Sequence, residues 1–227
     1  RCGGGWGARF VDLDNDLYED LYAPNGWYTK AGTQDVNDFF WRFVVARSPA
    51  AGKPSPEYSI AMTTIEHLAL EIGHTWAGAE HNVVLMNQGG ERFVDATALV
   101  SPDRPMDGRA VAGMDWDRDG NIDLVLKNRN APRVQLLHNR HPRASAGGWL
   151  VLELENRAPN RDAIGAHIEV HVGGKVLRRT IYAGDGFISQ TPVRQHFGLG
   201  DHETVDAVVV HWPDGPAGSA DKVQRHE

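Results

Sequence analysis

Two short segments carry carboxylates at a spacing that suits a metal ion. The first reads Asp12-Leu-Asp14-Asn-Asp16-Leu-Tyr18-Glu-Asp20, and the second Asp115-Trp-Asp117-Arg-Asp119-Gly-Asn121-Ile-Asp123. Both place Asp at positions one, three, five and nine, so the side chains converge on one point when the chain coils tightly. Calcium takes about six to eight hard oxygens, and position seven would add a backbone carbonyl, from Tyr18 and from Asn121. Without a cation, four such carboxylates repel one another, and burial raises their pKa values. Asp12, Asp14, Asp16, Tyr18 and Asp20 are therefore expected to hold one calcium ion, and Asp115, Asp117, Asp119, Asn121 and Asp123 a second. These are not EF-hands: Ala23 and Leu126 stand at position twelve, where a bidentate Glu belongs, and the flanks read as strands. Gly120 supplies the sharp turn of the second loop. Leu17 occupies that place in the first, where a non-Gly residue is expected to strain the turn. Asp is a good turn former, so a single loop could be a solvated turn; the matching pair favours the metal.

A different constellation is His67, Glu71 and His74, at i, i+4 and i+7 of a candidate helix, with Glu66, Glu80 and His81 nearby. Imidazoles and a carboxylate on one face suit zinc or iron. They define the alternative function, a metal-dependent enzyme or a biosynthetic accessory factor. A polar helix face opposite Ile65, Leu68 and Ile72 explains the same residues, and Gly73 is expected to end the helix before His74. Gly3–Gly7 lacks the Lys-Ser/Thr pair of a phosphate loop and leads into a strand. Ser189 has no nucleophile elbow, no H-E-x-x-H occurs, and His196 reads as a structural polar contact. No catalytic set is expected.

The elements that must position the loops are strands. Ala8–Leu13, Asp20–Ala23, Val83–Met86, Ala110–Met114 and Ile122–Leu126 are short apolar runs punctuated by Gly, Asn and Asp. From Trp149 onward a period of two appears. Leu150, Leu152 and Leu154 share one face, as do Ile168, Val170 and Val172. Gly173-Gly174 predicts a two-residue hairpin turn into Lys175–Ala183, and Val205–Trp212 reads as a strand buried on both faces. Gly26–Ala79 interrupts this pattern as an insertion in a repeat architecture. It holds an aromatic cluster (Phe39, Phe40, Trp41, Phe43), a Pro-rich turn over Pro49–Pro56, and a helix predicted over Met62–Ile72. The polar segment His138–Gly148 is the expected boundary between residues 1–140 and 149–227.

Composition narrows the class. The 227 residues suffice for one large β domain or two smaller ones, and the formal charge of −7 with no basic run argues against a nucleic-acid partner. No apolar stretch approaches the roughly 18–20 residues needed to cross a bilayer. Cys2 is the only cysteine, so there is no internal disulfide and no thiolate metal site. The start Arg-Cys-Gly, with neither Met nor a signal peptide, is expected of a piece of a longer protein.

Gly7–Val11 with the first loop and Asp20–Ala23 resembles an FG-GAP/VCBS repeat, the calcium-bearing blade of integrin-type β-propellers. Val111–Met114 with the second loop and Asp123–Val125 resembles another, and Asn87–Asp95 is similar to the turn-and-strand segment between such loops. Farther on, Asn160–Ala166, Gly184–Gln190, His196–Gly200 and Trp212–Gly215 follow the order of an ASPIC/UnbV domain. The whole resembles the cartilage acidic protein/UnbV family of secreted proteins. That resemblance implies an all-β chain, with a partial β-propeller (blades and a partly helical insertion) followed by a small antiparallel β-domain. It also implies structural calcium and no common catalytic chemistry. The expected function is a non-catalytic, extracytoplasmic, calcium-binding module for adhesion, for binding a protein or glycan partner, or for assembly into a larger complex. With only two clear loops, a full propeller needs blades from outside residues 1–227.

Overall fold

A computed structural model describes residues 5–32, 34–100, 106–142, 144, 146–213 and 223–226. Cys2, Gly3 and Gly4, and Asp214 and Gly215 of the last motif, lie outside them. The molecule is mostly β and its sheets are antiparallel. The first sheet runs in chain order through β1 (Arg9–Val11), β2 (Asp20–Ala23), β3 (Val83–Gln88) and β4 (Arg92–Asp95). The second does the same through β5 (Gly108–Met114), β6 (Asp123–Asn128) and β7 (Val134–Leu137). Each aspartate loop joins the first two strands of its sheet. The sheets pack face to face through Val11, Tyr22 and Val84 of one and Val111, Leu124 and Leu126 of the other, all buried. Among the described residues they close into neither a barrel nor a propeller ring.

The insertion lies between β2 and β3 and has its own small core of Val36, Val44, Ala61 and Ile65. Its helix starts earlier than the apolar spacing predicts. The α-helical part is Pro56–Glu66 and a π-helical turn, His67–Ile72, completes it. Ser55 is the reason: its Oγ accepts the Tyr58 N–H at 3.2 Å, and Pro56 fits the first helical position, where its missing N–H costs nothing. The segment carrying the aromatic cluster, where no helix was expected, is also helical from Asn37 to Arg47. Phe39 and Phe40 turn onto the small core, leaving Trp41 and Phe43 exposed.

The C-terminal unit is built on β8 (Gly148–Leu152), β9 (His167–Val172), β10 (Lys175–Thr180), β11 (Gln195–Gly200), β12 (Ala207–His211) and β13 (Val223–His226). One sheet has the order β10-β9-β12-β13, and β8 pairs with β11 in another. Ile168, Val170, Val172 and Phe197 are fully buried between them, with Leu150, Leu152 and Leu154 packed against that core. Gly173 and Gly174 make the β9–β10 turn with φ of +55° and +78°, the positive values that such a hairpin requires. The segment 184–190 folds back as a tight turn onto the first sheet. Asp185 pairs with Arg9 at 2.6 Å, and the Phe187 ring lies 5.0 Å from Trp6.

Candidate metal centres

The two aspartate loops fold alike, bond for bond. In the first, the Asp12 oxygens accept N–H groups from Asp16 (3.0 Å) and Leu17 (3.1 Å), and Asp16 Oδ1 accepts from Tyr18 (3.0 Å). Asp20 Oδ2 accepts from Leu13 (2.9 Å), and its Oδ1 accepts from Asn87 on β3 (2.7 Å). In the second, Asp115 accepts from Asp119 and Gly120 (both 3.1 Å), and Asp119 from Asn121 (2.9 Å). Asp123 accepts from Trp116 (3.0 Å) and from Asn139 just past β7 (2.7 Å). Positions four and six take positive φ in both: Asn15 (+55°) and Leu17 (+78°), Arg118 (+64°) and Gly120 (+87°). Asn87 and Asn139 thus hold equivalent places, yet only the first was marked by sequence. The signal was present in Leu85-Met-Asn87 and Leu137-His-Asn139.

Positions one, three and nine come together. Asp12, Asp14 and Asp20 each bring an oxygen within 4.8 Å of the others, as do Asp115, Asp117 and Asp123. At position five, Asp16 and Asp119 accept the N–H of position seven, from Tyr18 and Asn121. Asp119 forms a further group with Asp117 and the exposed His138, whose Nε2 lies 3.1 Å from Asp117 Oδ2. The first loop is the buried one, with Asp12, Asp14, Asp16 and Asp20 all at most 8% exposed. Burial pushes the carboxyls of Asp12 and Asp20 up to about 7, and the neighbouring loop carboxylates add to the shift, against backbone N–H bonds that lower it. In the second loop Asn121 and Asp123 are buried and Asp117 and Asp119 are exposed. In the first loop a buried, oxygen-only donor set of this charge fits a hard divalent cation such as calcium better than zinc or iron, which favour nitrogen and sulfur.

Both loops press against the C-terminal unit. Strand β11, whose sequence is Gln-His-Phe-Gly-Leu-Gly, crosses them in turn. Gly200 N–H donates to Asn15 O at 2.8 Å. At Gly198 a Cβ would lie 2.4 Å from Asp12 Oδ2 and 2.5 Å from Asn15 Cα, so only glycine fits. His196 Nε2 meets Gly120 O at 3.0 Å, and burial lowers its pKa, which keeps the ring neutral and the Nε2 proton on that carbonyl. Gly120 itself touches Trp149 of β8: a Cβ there would sit 2.0 Å from Nε1. Leu17 now has its explanation. A left-handed leucine costs about 1–2 kcal/mol, and its half-buried side chain packs against the C-terminal core beside Gly200. Packing across the interface works against the strain.

Residues 156–226 match the ASPIC and UnbV family. The matched region carries β9 to β13, and so the strand that crosses both loops. Two curated relatives are similar to parts of the chain. Cartilage acidic protein 1 of Mus musculus is 33% identical over 90 residues, 39% of this chain and 14% of the relative. Its Homo sapiens counterpart is 42% identical over 62 residues, 26% of this chain and 9% of the relative. The chain therefore spans a small fraction of their length.

Within the ASPIC/UnbV region the other motif segments are structural. Asn160 ties Ile164 through both its N–H and its carbonyl (2.9 and 2.8 Å), closing the turn before Ala166. Ser189 Oγ donates to Val111 O at 3.3 Å, a packing contact of the turn that docks on the first sheets. In the insertion, His67 Nδ1 lies 2.7 Å from Glu71 Oε2, both exposed. Gly73 ends the helix at φ +86°, and His74 joins neither partner in any metal-sized group among the described residues.

Proposed function

We propose that this chain is a non-catalytic, calcium-stabilised, extracytoplasmic binding module, with one calcium ion in each aspartate loop. The observation that carries the reading is the duplicated loop: two separate stretches of sequence reach the same carboxylate triad, the same turn conformation and the same hydrogen bonds. Calcium supplies two positive charges that let the buried carboxylates stay ionised. The chain's own part is to hold Asp12, Asp14 and Asp20, and Asp115, Asp117 and Asp123, in convergent positions, and to close β11 over both loops.

The two up-and-down sheets are read as blades of an FG-GAP/VCBS-type partial propeller. Their outer faces support this, because each sheet is apolar on both sides. Phe10 (55% exposed) and Phe93 (47%) lie on the open face of the first, and Val134 (62%) and Leu136 (44%) on that of the second. Stacked blades need a neighbour on each side. A cleft of about 820 Å³ between the first strands of the sheets and the C-terminal unit suits a protein or glycan partner. Arg178, Arg179, Arg194, Glu153 and the exposed Tyr182 line it. Such a cleft is the default binding-site assignment, and its paired charges and aromatic ring match a polar ligand.

The test is calorimetric titration of the calcium-stripped chain. Two calcium ions per chain, with no stoichiometric zinc or iron after metal analysis, are expected. Absence of calcium uptake at millimolar concentration would overturn the reading.

A further inference from the structure

We propose that Asn15 and Asn139 are positioning residues that tie the two loops together, so that the calcium sites fill as one cooperative unit. This rests on the calcium reading above and goes beyond it, because a pair of ordinary structural sites would fill independently.

Each asparagine belongs to one loop's framework and holds the backbone of the other. Asn15 is position four of the first loop and is 1% exposed. Its Nδ2 donates to Gly120 O of the second loop at 3.0 Å, and to Ala144 O of the connector at 3.1 Å. The Gly120 carbonyl is part of the same peptide group as the Asn121 N–H, which holds Asp119 Oδ1 at 2.9 Å. A peptide group is planar, so fixing its carbonyl fixes the direction of its N–H. An ordered first loop therefore helps to aim the group that holds a carboxylate of the second.

Asn139 works in the other direction. Its N–H holds Asp123 Oδ1 at 2.7 Å, and its Nδ2 donates to Ile122 O at 3.1 Å and to Leu13 O of the first loop at 2.7 Å. Leu13 O lies in the peptide that enters Asp14, a member of the first triad. Strand β11 completes the frame, since His196 shares the Gly120 carbonyl and Gly200 holds Asn15 O. An ion that orders either loop orders these shared bonds, and the second ion no longer bears that cost. Linkage makes the effect reciprocal between the two sites.

The experiment is a double-mutant cycle on the full chain, read by calorimetric calcium titration with tryptophan fluorescence. Asp117→Ala disables the second site. The first site of D117A is expected to bind calcium on the order of fivefold more weakly than the same site in the native chain. Asn15→Gly removes the amide while tolerating the positive φ. In that background D117A should change first-site affinity by clearly less than it does in the native chain, with the Asn139 link remaining. Equal first-site affinity in the native chain and D117A would overturn the coupling. An undiminished D117A effect in the Asn15→Gly background would overturn the role of Asn15. If Asn15→Gly does not fold, the comparison of D117A with the native chain decides the coupling. A chain that takes up no calcium at all overturns the calcium reading itself, a result distinct from independent uptake at two sites.

Discussion

Stripping calcium from the first loop should cost stability in a way that depends on pH. Asp12 and Asp20 sit at about 7 in the folded chain against an ordinary carboxyl value of 3.8. A carboxyl whose folded pKa is raised favours the folded state while it stays protonated, and that advantage is lost as pH rises through the folded value. The window thus opens near 4 and closes near 7. Three units correspond to about 4 kcal/mol for one group at 1.36 kcal/mol per unit. The pair is worth less than twice this, because the Asp12 shift already includes repulsion from Asp20. Both side chains are almost fully buried, so solvent screening removes little. On the calcium reading, a bound ion would neutralise the pair and release its protons. The gap in melting temperature between calcium-loaded and calcium-free chain should be small near pH 4 and widen toward pH 7. It should reach about 8–16 °C at roughly 2–4 °C per kcal/mol for a chain of this size. Circular-dichroism melts of dialysed protein at half-unit pH steps provide the assay. A gap that stays constant from pH 4 to 7 would refute the reasoning; in Asp12→Asn the calcium-free curve should flatten.

The interface offers sharper perturbations. Gly198→Ala sets a methyl against Asp12 Oδ2 and the Asn15 backbone; it should weaken first-site calcium binding by at least about tenfold, read by titration, because backbone cannot yield as a flexible side chain does. Gly120→Ala meets Trp149 and an unfavourable φ of +87° together and should destabilise by more than about 2 kcal/mol in denaturant unfolding. A chain of residues 148–227 should fold alone, since its buried core is drawn from its own strands apart from the contribution of Leu17; a random-coil circular-dichroism spectrum would contradict this.

What could be read from sequence was local. Aspartates at alternate positions mark the loops because ligand spacing is a short-range property, and the Gly173-Gly174 turn is legible because two positive φ values need two glycines. Alternating Ile168, Val170 and Val172 reveal a buried face for the same reason. The helix start escaped because Ser55 and Pro56 read equally as a turn, and the cap is decided only when Tyr58 N–H turns back to Ser55. The aromatic segment escaped because helix 37–47 is held by contacts with Ile65, more than twenty residues away. No sequence window contains the bond from Asn139 to Leu13, which spans 126 positions.

That long-range frame also accounts for where glycine stands in β11. A strand whose only task was to pair with β8 would favour β-branched residues at both inner positions. Gly198 and Gly200 instead leave one face bare, and the loop backbone at Asn15 and the Asp12 carboxylate fill the space that side chains would take. Leu199 between them and Phe197 just before keep the opposite face in the C-terminal core, both buried. The strand therefore gives up packing on the loop side to let a charged loop approach closely, where the Leu17 contact and the Gly200–Asn15 hydrogen bond stabilise and unneutralised loop carboxylates oppose. On the calcium reading proposed above, the glycine pattern serves the cation site. A close approach of Asp12 to a bare strand would then be tolerable in the calcium-loaded state and costly in the empty one, and that reading links metal binding to closure of β11 over the loops.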